Sequence, residues 1–567
     1  MNAHLGARTG AAAGPRGTLV VDAFVLLVLG ALVAGVVTLA RRWAAPLQAT
    51  VVIDLSPRAL PGYTLLSLAR GFAAYLLSLV VTLVYGTVAA HRPAAGRILV
   101  PLLDVLQSIP VLGFLPGLVL GLVALVPHRT LGLELACVVM IFTGQAWNMI
   151  FSFYGSLQNI PAELHEVARV FRMTTWQRFR MLEVPSAATG LVWNSMMSMA
   201  GGWFFLTVTE AFTLGDRDFR LPGIGSYMSV AIDHGDRRAM VAAIVAMAVM
   251  IVATDQLVWR PLVVWTERFK LEESAGAETP HSWVLDVLSR SGLLRRLRAL
   301  LGARPPRLAR TTPAPVAAPT RVVGRLVVGL ALVATAAGVV ELGRLLLQVP
   351  AAGWVQVAAG LGATTLRTSG AVLLSALWTV PFGILVGRSP ATAHRVEPVV
   401  QLLASFPAPM LYPIVTAALV ALHVPFTLTA VVLMLLGAQW YVLFNVIAGA
   451  GAIPADLREA ADVCRLAGWP RWRTLELPVV FPYLVTGLVT AAGGAWNASI
   501  VAEMVRFRGT TLTTTGLGAL ITQATSAGDF PLLTAGVLTM ALTVVTLNRL
   551  GWRRLYRLAE TRYALSR

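Results

Sequence analysis

Of the 567 residues, 57% are hydrophobic and only 13% charged, a balance far too apolar for a water-soluble globule. The net charge of +18 does not point to nucleic acid, because the basic residues lie between apolar stretches and on a central linker, where they read as topology signals and contacts with anionic lipid. With only Cys137 and Cys464 present, one expected in a span and one in the cytoplasm, a structural disulfide is not expected.

Taken in chain order, residues 1–17 form a Gly- and Ala-rich tail, and no small-residue cleavage site follows the first apolar stretch, which reads as a retained helix. Apolar stretches long enough to cross a bilayer follow one another near residues 18–40, 64–89, 104–126, 131–154, 187–212 and 239–264. A second set lies near 324–347, 364–387, 402–421, 425–448, 480–504 and 530–550. They are too long and continuous for barrel strands, so the expected fold is an all-α polytopic membrane protein of about 12 transmembrane helices. Pro110, Pro116, Pro407 and Pro413 fall within the third stretch of each set and should break or kink it.

The second half repeats the first. Asn-Ile-Pro161-Ala-Glu-Leu-His-Glu166-Val-Ala168 aligns with Ala-Ile-Pro454-Ala-Asp-Leu-Arg-Glu459-Ala-Ala461 at an offset of 293, and the same offset pairs Trp147 with Trp440, Trp203 with Trp496 and Glu210 with Glu503. Nearer the start of each unit the offset is 297, pairing Arg70 with Arg367 and Pro110 with Pro407, with a four-residue insertion near Pro127–Thr130 in the first copy. The organisation is therefore two homologous six-helix units, 18–270 and 321–567, joined by the Pro- and Arg-rich linker 271–320.

Arg169, Arg172, Arg178 and Arg180 lie between spans four and five of the first unit, and Arg458, Arg465, Arg471 and Arg473 lie at the corresponding place in the second. The positive-inside rule puts both loops, 159–185 and 452–478, in the cytoplasm together with the N- and C-termini and the linker. Pro161 and Pro454 suit the first turn of a short helix. That helix displays Glu166 or Glu459, then Ala168 or Ala461, a small residue that would admit the backbone of a partner. Arg172-Met-Thr-Thr175-Trp and Arg465-Leu-Ala-Gly468-Trp then turn into a second basic helix, which ends at Leu-Glu-Val-Pro185 and Leu-Glu-Leu-Pro478.

These loops resemble the coupling motif of binding-protein-dependent ABC importer permeases: Glu-Ala-Ala, three residues, Gly, nine residues, Ile-x-Leu-Pro. The second copy follows it through Glu459-Ala460-Ala461, Gly468 and Leu475-Glu-Leu477-Pro478; the first departs, with Glu166-Val167-Ala168 and Thr175 in place of glycine. Leu106-Gln-Ser108-Ile-Pro110 and Leu403-Ala-Ser405-Phe-Pro407 look like the nitrate/sulfonate/taurine group. The resemblance implies a pseudo-twofold pair of units in a bacterial cytoplasmic membrane. It implies contacts through Pro161, Glu166, Ala168, Arg172, Pro185, Pro454, Glu459, Ala461, Arg465, Gly468 and Pro478 with two copies of a separate ABC ATPase, and a small anion as substrate. Delivery of that anion by an external binding protein is left open by the sequence.

Polar and aromatic residues inside spans are the candidates for a pathway: Ser108, Trp203, Glu210, Ser405, Trp496, Asn497 and Glu503, with Asn194, Gln145 and Gln439 weaker. Helix anchoring is an equally good reading of the two glutamates. No enzymatic or metal-binding pattern is present, since the eight histidines are scattered and no Gly-x-Ser-x-Gly or His-Glu-x-x-His occurs. The single lysine, Lys270, follows no glycine loop, so any ATP with its Mg must sit on another chain. A twelve-helix, gradient-driven transporter of the major-facilitator type is the alternative, but its coupling residues would lie inside the bundle rather than in repeated surface loops.

Overall fold

The computed structural model describes residues 51–108, 110–126, 130–214, 217–269, 282–285, 321–507 and 510–563. The tail 1–17, the expected first span 18–40 and all of the linker 271–320 but its residues 282–285 lie outside the described residues.

In the first unit α1 (Leu60–His91) leads into α2 (Pro93–Ser108), a 3-10 turn (Val111–Phe114) and α3 (Leu115–Leu125). Then come α4 (Leu131–Gln158), the short helices α5 (Ala162–Val170) and α6 (Thr175–Arg178), and α7 (Val184–Thr209). A hairpin of β1 (Ala211–Leu214) and β2 (Arg217–Arg220) precedes α8 (Ile224–Asp233), α9 (Arg237–Thr254) and α10 (Arg260–Thr266). The second unit repeats this order: α11 (Arg321–Leu347), α12 (Ala351–Gly387), α13 (Pro390–Ser405), α14 (Ala408–Ala421), α15 (Phe426–Gly451), α16 (Ala455–Val463), α17 (Gly468–Arg471) and α18 (Leu477–Ala502). Its hairpin joins β3 (Met504–Phe507) to β4 (Thr510–Thr513), followed by α19 (Leu517–Ala527), α20 (Phe530–Leu547) and α21 (Arg553–Arg562). Both hairpins are antiparallel, pairing Ala211 with Arg220 and Met504 with Thr513.

Among the described residues, seven helices are long and apolar enough to cross a membrane, and α13 with α14 would make an eighth. Helix α7 (26 residues) and α11 (27 residues) have the length as well, α7 with Asn194, Ser195 and Ser198 along it. The third stretch of each unit differs from a continuous crossing, as Pro110 and Pro407 foretold, whereas Pro116 sits in the first turn of α3 and α14 continues past Pro413. Helices α13 and α14 meet at an 85° bend, where Phe406 and Pro407 are both extended; Pro407 has no N–H to continue the ladder, and its ring keeps the preceding residue out of the helical region. Pro110 is extended at the matching break. A second correction concerns 187–212 and 480–504, whose C-terminal ends do not stay helical. The chain leaves the helix at Glu210 and Glu503 and enters the hairpins.

Those two glutamates explain the exit. Arg70, fully buried in α1, grips Glu134 with two nitrogens at 2.6 and 2.7 Å and reaches Glu210 at 2.7 Å. The other face of the Glu210 carboxylate accepts from the Gly225 N–H at 2.8 Å in the first turn of α8, where the helix dipole favours an anion. In the second unit Arg367 holds Glu503 at 2.6 Å, and Gly518 N–H and Ala519 N–H donate to it at 2.8 and 3.2 Å. Ser67 and Thr364 occupy matching places, each donating to its glutamate at 2.7 Å and accepting from the first amide of α8 or α19. A Cβ at Gly223 or Gly516 would sit 2.3 or 2.1 Å from the carboxylate, so glycine is required at both. Each clamp thus closes one unit at the end where α7 or α18 stops.

The units meet in one of several core clusters. A single hydrophobic cluster includes Leu206, Tyr227 and Met247 from the first and Trp496, Leu517 and Met540 from the second. The Val111–Phe114 turn presses on α20, where a Cβ on Gly113 would meet Val537 at 2.9 Å. The Val111 N–H also donates to Asn497 Oδ1 at 2.9 Å.

Removing one partner of a buried pair leaves the other charge uncompensated, at a cost of about 3–5 kcal/mol. Glu503→Ala should therefore lower the thermal midpoint of the detergent-purified protein well beyond Glu166→Ala, a surface substitution. Equal midpoints for the two variants would refute the structural role assigned to the clamp.

Candidate functional site

Two places stand out: a cavity between the units and the paired short helices at the opposite end from the clamps. Helices α5 and α16 begin after Pro161 and Pro454, both extended at the N-cap. Each ends in a left-handed residue, Arg172 (φ 46°) or Arg465 (φ 51°). Met173 N–H returns to Ala168 O and Leu466 N–H to Ala461 O, at 3.0 and 2.9 Å, so the turn is closed as glycine usually closes it. The copies then diverge. In the second, Gly468 is also left-handed (φ 58°); in the first, Thr174 caps α6 by accepting from Gln177 N–H, while Gln177 Oε1 accepts from Thr174 N–H. Thr175 in place of glycine is therefore matched by a capping box one residue earlier.

Ala168 and Ala461, expected to admit a partner's backbone, are only 6% and 5% exposed and face inward; Ala461 packs with Ile453, Leu475 and Val479. Their smallness serves the protein's own packing. The outward face is made by Trp176 and Trp469, each 67% exposed, and by Val170 and Val463 at 79% and 82%. Glu166 and Glu459 are exposed beside them, with Arg169 3.6 Å from Glu166. Two matching apolar patches edged by carboxylates and arginines thus stand out from the bundle, the pattern of a protein-binding surface. Pro185 and Pro478 occupy the first turns of α7 and α18. A five-residue π-turn precedes each helix, Phe179–Glu183 and Trp472–Glu476, and absorbs the missing N–H without ending the helical path.

The cavity, of about 250 Å³, lies between the units. Equivalent residues face each other across it: Gly144 and Gly437, Trp147 and Trp440, Gly201 and Gly494. Its described lining contains no charged side chain, while Thr143, Asn148, Tyr441, Thr490 and Asn497 supply neutral polar groups. The Trp147 indole N–H has no hydrogen-bond partner among the described atoms. Of the pathway candidates named from the sequence, only Trp496 and Asn497 are among the lining residues. Trp203 is 2% exposed and packs on Gly71, while Glu210 and Glu503 are spent in the clamps. Ser405 donates to Gln401 O at 2.8 Å, next to lining residues Ala404 and Phe406; Ser108 ends α2, beside lining residue Gln107. Gln145, Asn194 and Gln439 do not line it; they bond Met199 Sδ, Gly190 O and the Trp378 indole.

Sequence reasoning missed three features. The hairpins are too short for an alternating pattern to stand out, and the Gly-x-Gly pairs at 223–225 and 516–518 recur at the 293 offset without an obvious task. Glu183 and Glu476 were hidden inside the Leu-Glu-x-Pro ends of the motif, although a carboxylate repeated beside two apolar helices is itself a signal. The left-handed Gly468 carries a local prediction. Gly468→Ala should loosen the second loop by about 1 kcal/mol, read as several-fold faster amide exchange over 468–476, whereas Thr175→Ala should leave exchange over 175–183 within twofold.

The family described as the binding-protein-dependent transport system inner membrane component matches the chain twice, over residues 82–258 and 379–562. Among curated proteins, the nitrate import permease protein NrtB of Leptolyngbya laminosa is 27% identical over 190 residues, 34% of this chain and 64% of the relative. The bicarbonate transport system permease protein CmpB of a Synechocystis strain is 34% identical over 132 residues, 23% of this chain and 46% of the relative. The riboflavin transport system permease protein RibX of Chloroflexus aurantiacus is 33% identical over 106 residues, 19% and 37% respectively. The chain spans less than two thirds of the length of each of these relatives. With two successive matches in register with its internal repeat, the chain belongs to the family of binding-protein-dependent transport system inner membrane components and carries the family's unit twice.

Proposed function

We propose that this chain is the permease of an ATP-driven importer in a bacterial cytoplasmic membrane, forming the pathway between its two units and taking its drive from two copies of a separate ATPase. The observation that carries this reading is the pair of equivalent exposed patches, Trp176 with Val170 and Trp469 with Val463, one on each unit's short helices. Each is shaped for the helix-in-groove mode of docking. ATP and Mg bind on those partners, whose closure moves the two units as rigid bodies about the cavity. The basic short helices face the cytoplasm together with both termini, and the hairpin end faces outward, where a substrate-binding protein docks. Against a gradient-driven mechanism stands the state of the buried carboxylates Glu134, Glu210 and Glu503, each already paired with an arginine.

The substrate is a small monovalent anion. Two of the relatives are named for nitrate and bicarbonate, both planar anions. The cavity lining places no carboxylate near such a solute. Neutral donors on the lining, such as the Asn148 amide and the Tyr441 hydroxyl, can replace part of its hydration without trapping it.

Glu166→Arg combined with Glu459→Arg should abolish uptake and ATPase co-purification while leaving the yield of folded membrane protein unchanged. Robust uptake in cells lacking every candidate ATPase would overturn the reading. A Cβ at Gly201 would make only ordinary van der Waals contact, its nearest atom 3.8 Å away. Gly201→Phe should fill the cavity and cut nitrate or bicarbonate uptake at least about tenfold, equivalent to about 1.4 kcal/mol, with the ATPases still bound. Unchanged uptake in that variant would place the pathway elsewhere.

A further inference from the structure

Helices α6 and α17 bury none of their own residues, so apolar packing does not fasten them to the bundle. Each runs on through its π-turn into α7 or α18 as one helical path, and a buried carboxylate on that path ties its start to a neighbouring helix. Glu183 ends the π-turn before α7 and has a side chain only 2% exposed. Arg178 of α6 reaches it at 2.7 Å, and His91, in the last turn of α1, at 2.9 Å. The second unit has the same joint. Glu476, 1% exposed, meets Arg388 at the end of α12 at 2.5 Å and Arg471 of α17 at 3.5 Å. Arg471 also pairs with Asp462 of α16 at 2.5 Å.

A carboxylate taken out of water twice over, each time between a basic side chain on its own helical path and another at the end of α1 or α12, is a joint where three elements meet. One arm is the second short helix of the exposed pair. Another is the base of α7 or α18, whose later turns put Gly201 or Gly494 on the cavity wall. The third is the end of α1 or α12, helices that carry Arg70 or Arg367 further along. Resting on the reading that these short helices dock an ATPase, we propose that Glu183 and Glu476 are positioning residues that carry the movement of the docked helices to the cavity wall. The joints are unequal in chemistry: the first has His91 where the second has Arg388, and in the second Arg458 of α16 additionally donates to Arg388 O, Ala450 O and Gly451 O at 3.2 to 3.3 Å.

The test uses the full chain with its ATPase in proteoliposomes and needs no knowledge of the substrate. In a Cys464→Ser background, where the remaining Cys137 is buried, Thr490→Cys places a thiol on the cavity wall. Its labelling rate by a maleimide is compared without nucleotide and with ATP, Mg and vanadate. The parent should change rate at least about fivefold, the lower end of allosteric coupling. Glu183→Gln with Glu476→Gln should lose that response while the ATPase stays bound and hydrolyses ATP. His91→Arg, which gives the first unit the second unit's cation, should keep it. Retention of the response in the double variant overturns the proposal, and so does loss of the bound ATPase, which would make the glutamates a docking staple. If the double variant fails to fold, Arg178→Gln with Arg471→Gln opens the joint from its partly exposed side, at 37% and 24% exposure, and the same two outcomes decide. A parent that binds no ATPase or shows no nucleotide response would instead sink the importer reading itself.

Discussion

A carboxylate withdrawn from water must be met by opposite charge or by aligned N–H donors, and each unit of this protein meets that demand at both ends of one helix. At the end of α7, Glu210 is answered by Arg70 and the Gly225 amide of α8; at its start, Glu183 is answered by Arg178 and His91. Helix α18 repeats the arrangement with Glu503 and Glu476. Because one partner comes from α1 or α12, or from Arg388 at the end of α12, in all four cases, the two long helices of each unit are tied top and bottom. In a low-dielectric setting such ties constrain orientation more than they add net stability. What they confer is a pair of helices fastened to each other, and α7 and α18 are helices that wall the cavity.

Duplication without identity shows which parts of each tie are required. Ser67 and Thr364 both keep a hydroxyl between the glutamate and the next helix, so the hydroxyl is the constraint and the methyl is not. Glu134 has no acidic counterpart. Thr427 stands at its place and pairs with Thr514, while Arg367 turns its free nitrogen to Thr514 and to the Thr515 carbonyl at 2.6 Å. The first clamp therefore sets one arginine against two carboxylates, and the second balances a single pair. Across the cavity the same drift appears at the site shared by Phe204 and Asn497. Phe204 packs into a cluster of the second unit, while Asn497 takes an N–H from the first.

Much of this was legible from sequence because bilayer crossing demands length and apolarity, which composition displays directly, and because the repeat supplied a second reading of every position. The long helices, the proline breaks at 110 and 407, and the four short surface helices could all be placed in that way. What could not be read was which way a polar side chain turns. Glu210 in an apolar stretch looks the same whether it faces a pathway or an arginine, and the partner, Arg70, lies 140 residues away. Ala168 likewise signals close approach, but the sequence does not tell whether another chain or its own core makes it; burial at 6% decides for the core. The hairpins escaped because four residues per strand are too few for a period of two to emerge.

The fused architecture gives these inequalities a consequence. In a pair built from two identical chains, every substitution in a coupling loop alters both contacts at once, so a loop cannot be tuned alone. Here Thr175 with its capping box and Gly468 with its left-handed turn hold the same exposed tryptophan at the same 67% exposure by different local means. The surface presented to a partner is preserved while the stiffness behind it differs: the second loop is fastened by Arg458 and by the Arg471–Asp462 pair, whereas Arg169 stands where Asp462 would be. A partner pressing equally on both patches would meet a firmer lever in the second unit. The inequality between the two loops thus lies in the joints themselves.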